Sequence, residues 1–192
     1  MNINHEYESK NANGINYIRE QLKNGGDMNI MLRGEELSGK SWIAQEIYNA
    51  VEGLKKKTTA DELCSKFEHY KFSNYSDATE QLKRLRSLAY APVLIVDDIG
   101  NEFSLGKTGI EFIRSFIETR LDFISRNKTL DIIYPEKIVT VFTSKLKGVE
   151  MAERYGNKVA RGIPVKMQVI QIKGIPITYE VITPEGKSKK EV

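Results

Sequence analysis

The sequence predicts an α/β fold in three layers, with helices on both faces of a mainly parallel central sheet and a β-hairpin at the C-terminal end. Three observations predict it. Short apolar runs alternate with segments of helical period along most of the chain. The two strongest runs, Pro92–Val96 and Lys137–Phe142, are nearly continuous in apolar residues, as strands buried on both faces are. A glycine-bounded loop, Gly34–Gly39, falls between an apolar run and a helical segment.

Taken in order, Asn13-Gly14 opens an amphipathic helix with Ile15, Ile18 and Leu22 on one face, and Gly25-Gly26 stops it. Asn29–Leu32 reads as a short buried strand. The helix from Lys40 to Leu54 turns Ile43, Ala44, Ile47, Tyr48 and Val51 inward; Gly53 and Lys55, Lys56 and Lys57 end it. Residues 58–70 form a polar connection, Tyr70–Phe72 a candidate strand, and Asp77 a candidate N-cap for a helix through Leu88. A helix from Thr108 to Ile124 carries Ile113, Phe116, Ile117, Leu121 and Ile124 on one stripe. Val165–Ile172 and Ile175–Ile182 alternate and are split by Lys173-Gly174, which predicts two strands joined by a tight turn. The expected organisation is one domain over 1–192, with an N-terminal helical segment 1–27, C-terminal strands 164–184 and a flexible tail 185–192.

Composition narrows the function. A chain of 192 residues with 40% hydrophobic and 29% charged residues is globular in profile. No apolar run reaches the ~20 residues that span a bilayer, and the start lacks a secretory h-region, so a cytoplasmic protein with no membrane partner is expected. The single Cys64 and the two histidines, His5 and His69, argue against an internal disulfide and a zinc site. A net charge of +3 is compatible with nucleic acid without demonstrating it. Lysines at 55–57 and at 187, 189 and 190 read as solvated ends.

Gly34-Glu35-Glu36-Leu37-Ser38-Gly39-Lys40-Ser41 matches G-x-x-x-x-G-K-[ST] in full. In this P-loop pattern the glycines let main-chain N–H groups curl around phosphates at a helix N-terminus. Lys40 would bridge the β- and γ-phosphates of ATP, and the Ser41 hydroxyl would hold Mg²⁺. Trp42, on the first helical turn, joins the candidate nucleotide contacts, with packing favoured over base stacking. The second half of the site is Val93–Asp98, a buried strand that delivers two carboxylates at its C-terminal end, where ligands of such sheets bind. Asp97 would reach Mg²⁺ through water, and Asp98 would orient or deprotonate an attacking water.

Asp97-x-x-Gly100 also fits the D-x-x-G of GTPases, but the guanine-reading N-K-x-D fails. Asn127-Lys128-Thr129 is followed by Leu130, and Asn157-Lys158-Val159 by Ala160. A small-molecule kinase would need an arginine-rich lid; Arg84 and Arg86 are candidates but precede the Asp97-Asp98 strand.

The run Val93–Glu102, VLIVDDIGNE, resembles the Walker B segment of the DnaC-type helicase-loader and IstB ATPases of the AAA+ superfamily. The resemblance spans Gly14 to Tyr179. It includes the loop, the helix ending Phe116-Ile117-Glu118-Thr119-Arg120, the sensor-like strand Ile138–Ser144 and Glu153-Arg154-Tyr155. It implies an AAA+ core acting as an ATPase with single-stranded DNA and a helicase or recombinase, and a homo-oligomer when ATP is bound. It also implies an arginine supplied by a neighbouring subunit, worth ~10³–10⁵ in rate; Arg154 and Arg161 are the candidates. Lys158 stands where the family's usual arginine aligns. Lys145 stands where its sensor is commonly asparagine, with Thr143 or Ser144 as substitutes. Helicase loaders usually carry an additional N-terminal partner-binding domain. Only residues 1–33 precede the loop here, which suggests a relative with a different partner, or a bare ATPase core. Tyr70, Lys71, Phe72 and Tyr75 form a mix that can stack on single-stranded DNA, although packing is the expected role. A small-molecule phosphotransferase and an ATP-binding assembly protein with weak hydrolysis are the alternatives.

Overall fold

The computed structural model describes residues 5–71, 83, 87–102, 106–126, 137–174, 178–183 and 186–191. Two helices lead, α1 (His5–Lys10) and α2 (Ala12–Asn24). Strand β1 (Met28–Arg33) runs into the glycine loop and α3 (Lys40–Ala50), followed by β2 (Lys55–Thr59), α4 (Ala60–Lys71) and β3 (Val93–Ile99). After α5 (Gly106–Arg126) come β4 (Val139–Ser144), α6 (Gly148–Tyr155), α7 (Asn157–Lys166) and β5 (Gln168–Gln171). A pair of strands, β6 (Thr178–Thr183) and β7 (Gly186–Glu191), closes the chain.

Strands β1 to β5 form one sheet in the order β2-β3-β4-β1-β5, parallel at every pairing. Side-chain alternation divides the core in two. Met28, Ile30 and Leu32 of β1, Val93 and Ile95 of β3, and Val139 and Val141 of β4 pack with Ile15, Ile18, Ile43 and Ile47. Met31, Leu94, Val96 and Phe142 face Leu63, Ile113, Ile117, Leu121, Met151 and Tyr155. Helices α1–α3 therefore cover one face and α4–α7 the other, the three layers that near-continuous apolar strands demand.

The structure corrects the sequence reading at several elements. Lys55–Lys57 do not end a helix: with Thr58 and Thr59 they form edge strand β2 beside β3. Lys56 and Lys57 stay exposed, the charge pattern that protects a sheet edge. Tyr70 and Lys71 belong to α4 rather than to a strand. The two short helices α6 and α7 span 148–166, where the sequence predicts only the start of a strand at Val165. Val165 lies in α7 because Val159 and Ile163, one helical turn apart, carry that segment onto α5. The tight turn expected at Lys173-Gly174 is replaced by a parallel placement of β5 beside β1. The hairpin instead pairs β6 with β7, Thr183 opposite Gly186, so residues 186–191 of the expected tail are a strand. The helix expected from Asp77, Arg84, Arg86, Phe72, Tyr75 and Asn127–Leu130 lie largely or wholly outside the described residues.

Candidate functional site

The loop leaves β1 at Gly34, whose N–H donates to the Ser144 carbonyl of β4 at 3.2 Å. A side chain at Gly34 would put its Cβ 2.2 Å from the Ile172 carbonyl oxygen, so only glycine lets the chain pass here. Gly39 enters α3 at φ 88, and a Cβ there would meet the Tyr7 hydroxyl at 2.5 Å. No side chain caps α3, which leaves its first N–H groups facing the loop's concavity. Inside that concavity Lys40 is buried, its Nζ donating to the Glu35 carbonyl at 2.6 Å. Burial lowers its pKa, while Asp98, Asp97, Glu35 and Glu36 oppose that shift by stabilising the charge.

The acidic half comes from the end of β3. Ser41 donates its hydroxyl to Asp97 Oδ1 at 3.0 Å, and Thr143 of β4 donates to the same oxygen. The Thr143 oxygen in turn accepts the Asp98 N–H at 2.9 Å. That second bond holds Asp98 at φ 57, where the register between β3 and β4 shifts. Asp97 is buried at 7% exposure and bonded to Ser41, whereas Asp98 is exposed and lines the cleft with Lys40. Although the residue is exposed, its carboxyl is partly desolvated against the protein and is pushed above its ordinary value, by that desolvation first and by the Asp97 charge second, with Lys40 pulling the other way.

A cleft of about 530 Å³ opens beside these groups, lined by Glu36, Leu37, Gly39, Lys40, Ser41, Trp42, Asp98, Ile99, Asn101 and Lys145, with Asp97 behind Ser41. Residues separated by more than a hundred positions in sequence thus meet at the C-terminal ends of β1, β3 and β4. Trp42 is 40% exposed and stands edge-on to the Tyr7 ring, centroids 6.5 Å apart. Tyr7 was missed by sequence reasoning, since it sits in a polar N-terminal stretch. Its hydroxyl donates to the Ser38 carbonyl at 2.7 Å, and burial raises its pKa to about 12. Asn11 clasps the Lys173 backbone at both its N–H and its carbonyl, tying the α1–α2 junction to the turn behind the loop.

Other expected site residues fall elsewhere. Ser144 is fully buried: its hydroxyl donates to the Ile99 carbonyl at 2.5 Å and accepts the Leu146 N–H at 3.0 Å, so Thr143 is the hydroxyl that meets Asp97. Arg154 donates to Glu102 Oε1 at 3.1 Å, and the Tyr155 hydroxyl donates to the same buried carboxylate. Glu102, a second residue the sequence reading left without a role, also accepts the Gly100 N–H. Arg161 is exposed on α7 and does not line the cleft. Lys158 pairs with Glu118 of α5 at 2.7 Å.

The donor set suits Mg²⁺ held jointly with phosphates: one hydroxyl and one carboxylate, both hard oxygen ligands, 3.0 Å apart at the cleft. Among the described residues no group of three histidine, cysteine or acidic side chains makes a self-sufficient metal cage.

No protein-family model and no curated protein matches the sequence. Solved structures do match. The crystal structure of the DnaC helicase loader shares 21% identity at a TM-score of 0.62, over 84% of this chain and 89% of that one. A DNA replication initiation factor shares 15% identity at a TM-score of 0.60, over 89% of this chain but only 47% of that longer one. The resemblance read from Val93–Glu102 thus extends to the backbone path of most of the chain, which has the P-loop fold found in the DnaC helicase loader.

Proposed function

We propose that the chain is a single-domain, cytoplasmic AAA+ protein of helicase-loader type that binds and hydrolyses ATP with Mg²⁺ and acts with single-stranded DNA and a replication or recombination partner. The observation that carries this reading is the convergence of Ser41 and Asp97, 3.0 Å apart, beside a glycine-bounded loop that buries Lys40. Main-chain N–H groups beyond Gly34, in the loop and at the uncapped start of α3, bind the phosphates, and the Lys40 ammonium bridges the terminal two. Ser41 and Asp97 would hold Mg²⁺, which would supply neutralisation of phosphate charge and polarisation of the transferred phosphoryl group. Asp98 orients a water on the cleft side and takes its proton as the water oxygen bonds to the γ-phosphorus. The bond from that phosphorus to the bridging oxygen breaks, and its electron pair leaves with ADP.

Lys40→Ala removes the cation at the centre of the loop, so calorimetry should show ATP affinity reduced by at least about a hundredfold. Unchanged affinity would remove the loop from the reading. A second reading, ATP as an assembly element with slow turnover, is favoured by one observation: Arg154 is engaged by Glu102 within its own chain. ATPase rate and oligomer size, each measured with and without single-stranded DNA, separate the two. No helix among the described residues is long and apolar enough to cross a membrane.

A further inference from the structure

The glycine loop is held from behind by residues that precede Gly14, where the resemblance to helicase loaders begins. Tyr7 of α1 is buried, and its hydroxyl donates to the Ser38 carbonyl at 2.7 Å. Tyr7 does not line the cleft; it stands against the loop's back, where a Cβ on Gly39 would come within 2.5 Å of its oxygen. A helix of six residues is too short to hold itself, so contacts outside α1 must fix this side chain. Buried Asn11 supplies them. Its Nδ2 donates to the Tyr7 carbonyl at 3.0 Å and to the Lys173 carbonyl at 2.9 Å, while its Oδ1 accepts the Lys173 N–H at 2.8 Å. Glu8 adds an ion pair to Arg19 of α2.

Peptide planarity links this contact to the inside of the loop. The Ser38 carbonyl and the Gly39 N–H belong to one peptide unit, and the described chain contains no cis bond. In a trans unit the two groups point in opposite directions. A carbonyl held by Tyr7 behind the loop therefore directs the Gly39 N–H into the concavity, where an anion is bound by such amides. Gly39 itself resists rotation of that unit little, because a glycine at φ 88 has many alternatives.

We infer that Tyr7 is a positioning residue for phosphate binding: its hydroxyl keeps the 38–39 peptide unit with the N–H turned inward, and Asn11 anchors Tyr7 for that task. The inference rests on the nucleotide-binding reading of the loop and deepens it. The Gly39 N–H stands beside Lys40, which reaches the β-phosphate that ADP and ATP share, so both nucleotides depend on Tyr7.

The test observes that peptide unit in the full chain. Ser38-Gly39 is the only Ser-Gly pair in the sequence, so ¹³C-carbonyl serine with ¹⁵N-glycine marks a single amide for magnetic resonance. Saturating Mg²⁺-ADP should move the wild-type Gly39 amide proton downfield, the signature of a hydrogen bond to an anion. Tyr7→Phe keeps the ring and removes the hydroxyl. In that variant the downfield shift at saturation should shrink, a change that a general loss of stability would not produce. Calorimetry should show Mg²⁺-ADP and the Mg²⁺ complex of a non-hydrolysable imido analogue of ATP weakened alike, about three- to tenfold, the size of one hydrogen bond. Asn11→Ala should give a similar loss, and the double variant no more than either single one, because Asn11 acts through Tyr7. An unchanged Gly39 shift or unchanged affinities in Tyr7→Phe would overturn the inference and leave nucleotide binding intact. Losses that multiply in the double variant would overturn the anchoring role of Asn11. A wild-type chain that binds neither nucleotide would overturn the underlying reading itself.

Discussion

Asp98, under the proposed reading, would trade stability for chemistry. Its carboxyl lies above the ordinary aspartate value, through desolvation first and through Asp97 second. The folded chain therefore holds this proton more tightly than the unfolded chain does. As pH rises from the unfolded value through the raised folded one, the fold loses stability, so the ionised carboxylate is a net cost at neutral pH. Asp98→Asn removes that cost, and asparagine tolerates φ 57 at least as well. Thermal melts should show a Tm equal to or above wild type at neutral pH, with the difference vanishing in acid below the ordinary aspartate range. Phosphate release by the same variant should fall about 10²–10⁴-fold, the usual contribution of a positioned base. A variant with undiminished release would take Asp98 out of the mechanism. Thr143 is the hinge of this arrangement, because one hydroxyl both donates to Asp97 and accepts from the Asp98 backbone.

At the scale of elements, α5 is fastened to the sheet by a buried arginine. Arg120 is fully buried, donating to the carbonyls of Ala89, Ala91 and Val139 at 2.6 to 3.0 Å and to the Thr140 hydroxyl at 2.9 Å. Burial pushes its pKa down, opposing the charge, and the four oxygens together with the Phe123 ring at 5.1 Å answer that opposition. Thr140 explains itself in the same way: the polar residue in an otherwise apolar strand faces the guanidinium. Arg120→Ala strands those acceptors in a dry interior and should cost about 3–5 kcal/mol, read from the urea midpoint at constant m. A shift under about 1 kcal/mol would mean that water replaces the guanidinium and that α5 is held by its apolar stripe alone. On the opposite face, α1 and the Asn11 that follows it buttress the loop, so an element with little apolar content is fixed by three hydrogen bonds, one from Tyr7 and two at Asn11.

For the whole molecule, the parallel order β2-β3-β4-β1-β5 brings the ends of β1, β3 and β4 side by side, and one cleft collects their loops. A net charge of +3 is modest, so any single-stranded DNA affinity should be electrostatic and strongly salt dependent. Filter binding between 50 and 200 mM salt should show a fall of about tenfold or more if a few phosphates are contacted. A flat response, or no binding, would count against the nucleic-acid role. The edge strand β2, with Lys56 and Lys57 exposed, is one place where such phosphates would find cations.

The sequence alone determined the loop 34–41, the acidic end of the Val93–Asp98 strand, the apolar strands and the three-layer architecture. Each of these is written in local chemistry: a spacing of glycines, a run of apolar residues, a helical period. It did not determine β2, whose lysines read as a helix end, nor α6 and α7, whose few buried positions make short periods. It also placed the hairpin one strand too early, because alternation fits an edge strand and a hairpin arm equally well. Only the tertiary structure decided that Thr143, and not Ser144, meets Asp97, that Glu102 occupies Arg154, and that Tyr7 leans on the loop. Those contacts join residues 31 to 53 positions apart, and their energies depend on burial and direction, which arise only once the sheet has brought the strand ends together.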